Sequence, residues 1–97
     1  MELQFVGKNI EVTEAIKTVT ATKLEVLKKR YSQIHQINVV FHIEHDDQIA
    51  EATIHMNGLE LHATAKSPDL YKSIDLLIDK LLTQLTKHKE KLTDSQR

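Results

Sequence analysis

Between Ile37 and Lys66, apolar and polar residues alternate with a period of two through three consecutive segments. Side chains of an extended chain point to opposite faces in turn, so each segment has one dry face and one wet face. Ile37, Val39, Phe41 and Ile43 share a face of the first segment, with Asn38, His42 and Glu44 on the other. Ala50, Ala52, Ile54 and Met56 share a face of the second, opposite Glu51, Thr53 and His55. Leu59, Leu61, Ala63 and Ala65 share a face of the third, opposite Glu60, His62, Thr64 and Lys66. Asp46-Asp47 reads as the first turn. Asn57-Gly58 is a strong signal for the second, because both central residues of a type I′ hairpin turn need φ > 0. These turns place Ile43 opposite Ala50 and Ile54 opposite Leu61, and the two registers agree. Such a meander needs apolar cover on one face only.

Two helices supply the cover. Leu3 and Phe5 alternate with Glu2 and Gln4, which adds a strand, and Gly7 to Glu11 turns the chain. Thr13 is a suitable N-cap, since its hydroxyl can accept from a free amide of the first helical turn. Ile16, Val19, Leu24, Leu27 and Tyr31 then fall on one helical face that ends near Arg30 or Tyr31. Ser67 is placed to cap a second helix, with Pro68 at its first position, where a missing N–H does no harm. Its stripe is Leu70, Ile74, Leu77, Ile78, Leu81, Leu85 and Leu92. The residues from about 93 to 97 should fray.

The predicted order is β-α-β-β-β-α in an α+β class. The economical packing puts both helices on one face of a four-stranded mixed sheet, the first helix crossing over between parallel strands. In outline this resembles the double-stranded-RNA-binding fold. At 97 residues the chain reads as a single domain.

Several function classes drop out. Cysteine is absent, so disulfides, thiol catalysis and Cys-ligated zinc are excluded. No apolar run reaches the roughly 18 residues of a membrane span. Met1 to Asn9 reads as a strand entering a turn, not as a cleavable leader, which predicts a cytoplasmic protein. His42, His55 and His62 all lie on the open sheet face, but they do not converge on one point as a zinc ion requires. No metal and no cofactor are expected. Without a phosphate-cradling glycine loop, a nucleophile motif or a carboxylate pair in a cleft, neither is catalysis.

Charge arrangement says more than net charge, which is only −1. From His42 to Ala65 there is no Lys or Arg, while Glu44, Asp46, Asp47, Glu51 and Glu60 contribute −5. From Lys80 to Arg97, five basic residues stand against two acidic ones, a net of +3. Lys80, Gln84, Lys87 and Lys91 follow an i, i+4, i+7, i+11 row along one side of the second helix. Lys89 flanks the stripe on its other side. His88 sits among these lysines. Lys28 lies in the last turn of the first helix. Lys23 lies inside that helix's apolar arc, so its stem should pack while its ammonium reaches the edge. With the helices side by side, these groups would border one surface suited to a phosphate backbone. The aromatic fraction is 4%, with no Trp, and Tyr31 and Tyr71 sit near apolar stripes. That favours recognition of backbone and shape over reading of single-stranded bases. An alternative reading is a protein-interaction module using the acidic hairpin at Glu44–Asp47 and the polar sheet face.

A family resemblance sharpens this. Asp69-Leu70-Tyr71, Ile74-Asp75, Ile78-Asp79-Lys80-Leu81, Gln84-Leu85 and Lys87-His88-Lys89 resemble the second-helix signature of ribosome hibernation-promoting factors. That family is also called ribosome-associated inhibitors or sigma-54 modulation proteins. Gly7-Lys8-Asn9 with Val12-Thr13-Glu14-Ala15 is similar to its first turn and helix start. Ala52-Thr53, His55 and Asn57-Gly58 are similar to its hairpin. The resemblance implies a non-catalytic factor that binds the small ribosomal subunit and its ribosomal RNA. The site would be the messenger and transfer-RNA channel near the decoding region, where the factor inhibits translation and stores inactive ribosomes in stationary phase or stress. It implies RNA contacts at Lys80, Lys87 and Lys89, supported by Lys23, Lys28 and Lys91. It further implies a short form without a C-terminal dimerisation domain, which works with a separate small ribosome modulation factor. No apolar stripe is left unmatched in the pattern, which predicts a monomer off the ribosome. The family often has Arg where Thr83 stands and Lys where Val26 stands, which implies fewer phosphate contacts here.

Overall fold

The structure is a computed structural model that describes residues 2–95, with side chains through His88. Its elements run β1 (Glu2–Lys8), α1 (Glu14–Arg30), β2 (Ile34–Glu44), β3 (Asp47–Met56), β4 (Leu59–Ser67) and α2 (Leu70–Ser95). The sheet order is β1-β2-β3-β4, with β1 parallel to β2 and the other pairs antiparallel. This is the expected four-stranded mixed sheet with two helices.

The core is the dry sheet face under both helical stripes. Ile37, Val39, Phe41, Ala50, Ala52, Ile54, Ala63 and Ala65 are buried from the sheet. Leu24 and Leu27 of α1 and Ile74, Leu77, Leu81 and Leu85 of α2 close over them. Phe5 stacks on Phe41, the ring centroids 6.5 Å apart, and carries the core out to β1. Thr20 is also buried in this face; its hydroxyl donates to the Ile16 carbonyl at 2.7 Å, so that hydroxyl is paired.

The first hairpin departs from the expected register. Glu44 pairs with Asp47, so the turn residues are His45 and Asp46 rather than Asp46 and Asp47. Phe41 therefore lies opposite Ala50, and Ile43 lies opposite Gln48. His45 adopts φ 56°, a left-handed conformation in which histidine is enriched among non-glycine residues. The slip is two residues, so every side chain keeps its face. The second hairpin has Ile54 opposite Leu61 as expected, but only Gly58 of its turn has positive φ, at 67°. The Asn57 side chain is held instead by His35, whose Nε2 donates to Oδ1 at 2.6 Å.

Both helix starts show their caps. Thr13 Oγ1 accepts from the Ile16 amide at 3.2 Å. At α2 the cap is Asp69, not Ser67. Asp69 Oδ1 accepts from the Tyr71 amide at 3.0 Å, and its carbonyl accepts the first helical bond, from Ser73. Pro68 thus precedes the cap. Ser67 serves the turn, its hydroxyl accepting from the Asp69 amide and meeting Ser73 Oγ at 3.0 Å. At the far end α2 continues through Ser95, so Thr93, Asp94 and Ser95 are helical where fraying was expected. No Gly or Pro interrupts residues 70–95, and Lys, Leu and Glu favour helix there. Gln96 and Arg97 lie outside the described residues, as does the Leu92 side chain.

Gly7 is the tightest backbone position. A Cβ there would fall on the Ile10 carbonyl oxygen and within 2.7 Å of Val12 Cγ2. Backbone cannot swing aside as a long side chain can. Gly7→Ala is expected to cost roughly 1–3 kcal/mol, the range for overpacking. Urea unfolding measures it, and an unchanged midpoint would show that the 7–12 turn relaxes freely.

Candidate nucleic-acid interface

The topology sorts the charges by end. α1 and α2 each start where a strand stops, beside Lys8 and Ser67, and those residues pair with His42 and Gln48. The Ser73 hydroxyl donates to the Gln48 carbonyl at 2.6 Å and pins the start of α2 to this end. The acidic 44–47 turn lies here with both helix N-termini. Both helix C-termini therefore lie at the opposite end, where Tyr31 Oη meets Thr86 Oγ1 at 3.3 Å. Lys28, Lys29 and Arg30 end α1 there, and Lys87 projects from α2. The cations that end α1 coincide with the negative end of its helix dipole, which stabilises that helix.

Along α2, the row Lys80–Gln84 faces the outer edge of β4. Lys80 Nζ donates to the Thr64 carbonyl at 2.6 Å, and Gln84 Nε2 donates to the His62 carbonyl at 2.8 Å. These carbonyls belong to an edge strand with no neighbour, so the two side chains also block edge-to-edge pairing. Lys80 stays exposed and its ammonium has two further donors for a phosphate. Lys23 is placed differently. Its Nζ lies 2.6 Å from Asp75 Oδ1, in a groove between the helices that Val26, Ile78, Asp79 and Leu82 also line.

The expected single lysine-bordered surface is therefore divided. Lys80 and Gln84 lie on the side of α2 away from α1, while Lys23 lies on the side facing it, next to two carboxylates. Among the described residues, the basic groups of the two helices come together at the C-terminal end of α1. Lys28 and Lys87 are exposed there, and His88 is half-buried. The side chains of Lys89 and Lys91 lie outside the described residues. Arg30 belongs to this end too, its guanidinium 5.8 Å from the Tyr31 ring centroid. The Lys28-Lys29-Arg30 run was the signal for it.

The open sheet face carries an ordered polar network. Gln36 Nε2 donates to Asn38 Oδ1 at 2.8 Å, and Asn38 Nδ2 donates to His55 Nε2 at 3.0 Å. His55 Nδ1 then pairs with Glu60 at 3.0 Å. His62 Nδ1 meets Thr53 Oγ1 at 2.9 Å. His42 lies opposite Ile49, not Glu51 as the sequence register had it, and reaches Glu51 diagonally at 3.4 Å. Among the described residues no group of three His, Cys, Asp or Glu side chains could hold a metal ion.

Thr83 sits in a shallow groove beside His62, Thr64, Lys80 and Gln84, with its hydroxyl bonded to the Asp79 carbonyl at 2.9 Å. An arginine at this exposed position would add a cation next to Lys80. Thr83→Arg is expected to raise RNA affinity by up to about tenfold at low salt and to steepen the salt slope by about one. Equal slopes for the two proteins in a binding titration would place residue 83 outside the interface.

Comparison with known proteins agrees with this architecture. The family profile described as sigma 54 modulation protein / S30EA ribosomal protein matches residues 3–93. The ribosome hibernation promoting factor of Salmonella typhimurium is 46% identical over 92 residues, 95% of this chain and 97% of that one. That of Azotobacter vinelandii is 38% identical over 96 residues, 99% of this chain and 90% of that one. A ribosomal subunit interface protein from Coxiella burnetii superposes with a TM-score of 0.89 at 34% identity, covering 93% of this chain and 99% of that one. The matched span takes in β1, both helices up to the basic end and the whole meander, and the chain therefore belongs to the sigma 54 modulation protein / S30EA ribosomal protein family.

Proposed function

We propose that the protein is a ribosome hibernation factor. In this reading it binds the ribosomal RNA of the small subunit, in the messenger and transfer-RNA channel near the decoding region. There it excludes the ligands of translation and keeps ribosomes in an inactive store. The names of its relatives support ribosome association. The observation that carries the RNA reading is the gathering of Lys28, Lys29, Arg30 and Lys87 at one end, with the acidic turn at the other. A dipolar molecule of this kind is steered into a phosphate-lined channel basic end first, although its net charge is only −1.

The role in this reading is binding: the basic end offers exposed cations for phosphate. The same reading makes the protein cytoplasmic and monomeric off the ribosome. A separate small modulation factor is its companion.

Co-sedimentation with ribosomes across a salt series tests this. Backbone-dominated binding should pellet the protein at low salt and release it steeply as salt rises. A protein that stays in the supernatant at every salt concentration would leave the family fold without this function.

A further inference from the structure

A cleft of about 260 Å³ opens where the C-terminus of α1 and the Leu85–His88 turn of α2 meet the 56–59 turn. Tyr31, Met56, Leu59 and Leu85 form its apolar floor, and Arg30 and His88 stand among its walls. Tyr31 and Leu85 are buried, while Met56, Leu59 and His88 are half-buried. The recess is thus apolar inside and cationic at its mouth, at the end of the molecule where exposed lysines gather.

We infer that this cleft accepts one unstacked nucleobase of the RNA that the basic end holds. The inference rests on the ribosome-binding reading above and names the ligand group at that end. Size is the first argument. Sites for drug-sized ligands span roughly 300–1,000 Å³, so this one has room for a single ring system. Chemistry is the second. A nucleobase has apolar faces and always travels with a phosphate a short distance away. It therefore needs an apolar slot with a cation beside the opening, and the cleft has both.

The mode of contact follows from what the floor lacks. Tyr31 is 7% exposed and its hydroxyl is engaged by Thr86, so it cannot swing out as a stacking platform. The base instead enters between aliphatic side chains, with the tyrosine ring beneath. Met56 suits such a slot because its unbranched thioether adapts to irregular shapes. The Arg30 guanidinium, already over the edge of the tyrosine ring, can stack on the base or pair with its phosphate. Splayed-out RNA bases stack on aromatic or guanidinium planes, and with Tyr31 held in the floor Arg30 supplies the plane here; duplex bases are out of reach. An aromatic side chain of a partner protein would fit the volume equally well but would leave the cationic mouth without a counter-charge.

Methyl NMR of the full chain tests the proposal, following Met56, Leu59 and Leu85 during titration with the four nucleoside 5′-monophosphates. Millimolar dissociation constants are expected. The cleft-filling variant Leu59→Trp should abolish the shifts. The surface variant Arg30→Gln, which leaves the core untouched, should weaken them several-fold. On ribosomes, Leu59→Trp should lose roughly tenfold in affinity, in line with one stacked base. Its salt slope should stay that of the wild type, because no cation is removed. Three titration results would overturn the proposal: no methyl shifts, shifts matched by inorganic phosphate alone, or shifts matched by N-acetyltyrosinamide. Unchanged ribosome affinity of folded Leu59→Trp would overturn it as well. If the wild type fails to pellet with ribosomes while the nucleotides still bind the cleft, the ribosome reading fails and the cleft assignment stands.

Discussion

Replacing Lys80, Lys87 and Lys89 together with alanine is expected to lower ribosome affinity by roughly 10²–10³-fold at 0.1 M salt. The figure comes from counterion release. Each neutralised phosphate contributes a slope of about 0.7–0.9 in log K against log salt, which is roughly five- to eightfold per contact at 0.1 M. Three contacts multiply to the stated range, and the measured slope should flatten by about three. Lys80 and Lys87 are exposed helix positions, so the fold should survive. Losing the Lys80 bond leaves the Thr64 carbonyl at an open edge, where water replaces the ammonium. Sedimentation at several salt concentrations, with circular dichroism as the folding control, makes the measurement. The opposite end supplies the contrast. Charge reversal at Asp46 and Asp47, in and beside the 44–47 turn, should leave binding intact or tighten it slightly. If that reversal abolishes binding and the lysine variant does not, the acidic hairpin is the interaction surface, and the RNA reading is wrong.

Face assignments were legible in the sequence because they depend on parity alone. His45 shows the limit. Its left-handed φ moved the first turn by one position and the register by two, yet Phe41 and Ala50 stayed in the core. The run Ser67-Pro68-Asp69 held two residues able to cap α2, and local pattern favoured the wrong one. The choice was settled by tertiary contact, since the Ser67 hydroxyl meets Ser73 Oγ and Ser73 in turn bonds the Gln48 carbonyl on β3. Charge placement was half legible. Periodicity shows that Lys80, Gln84 and Lys87 share a side of α2, but not which neighbour that side faces. It faces the β4 edge, and the groove toward α1 holds Lys23 against Asp75 instead. The cleft was not legible at all, because its walls come from three segments far apart in the chain. Each of those segments carries ordinary apolar residues for its own element.

Leu81→Ala is expected to destabilise the protein by roughly 2–5 kcal/mol, the range for truncating a fully buried leucine. Leu81 is 0% exposed at the centre of the α2 stripe, one position from Lys80. A domain of this size has about 5–15 kcal/mol of stability in total, so this one side chain is a large share of it. The melting temperature should fall by roughly 10 °C or more. Leu76→Ala on the same helix should move it far less, because Leu76 is 37% exposed and leaves no comparable cavity. The pair also separates packing from recognition. Leu81 contributes no charge, so the variant should bind ribosomes with the wild-type salt slope while it is folded. As temperature rises, its binding should disappear along the same curve as its circular dichroism signal. Loss of binding well below the unfolding transition would mean that α2 detaches from the sheet before the rest melts. The lysine row would then depend on local docking of that helix, not on the stability of the whole domain.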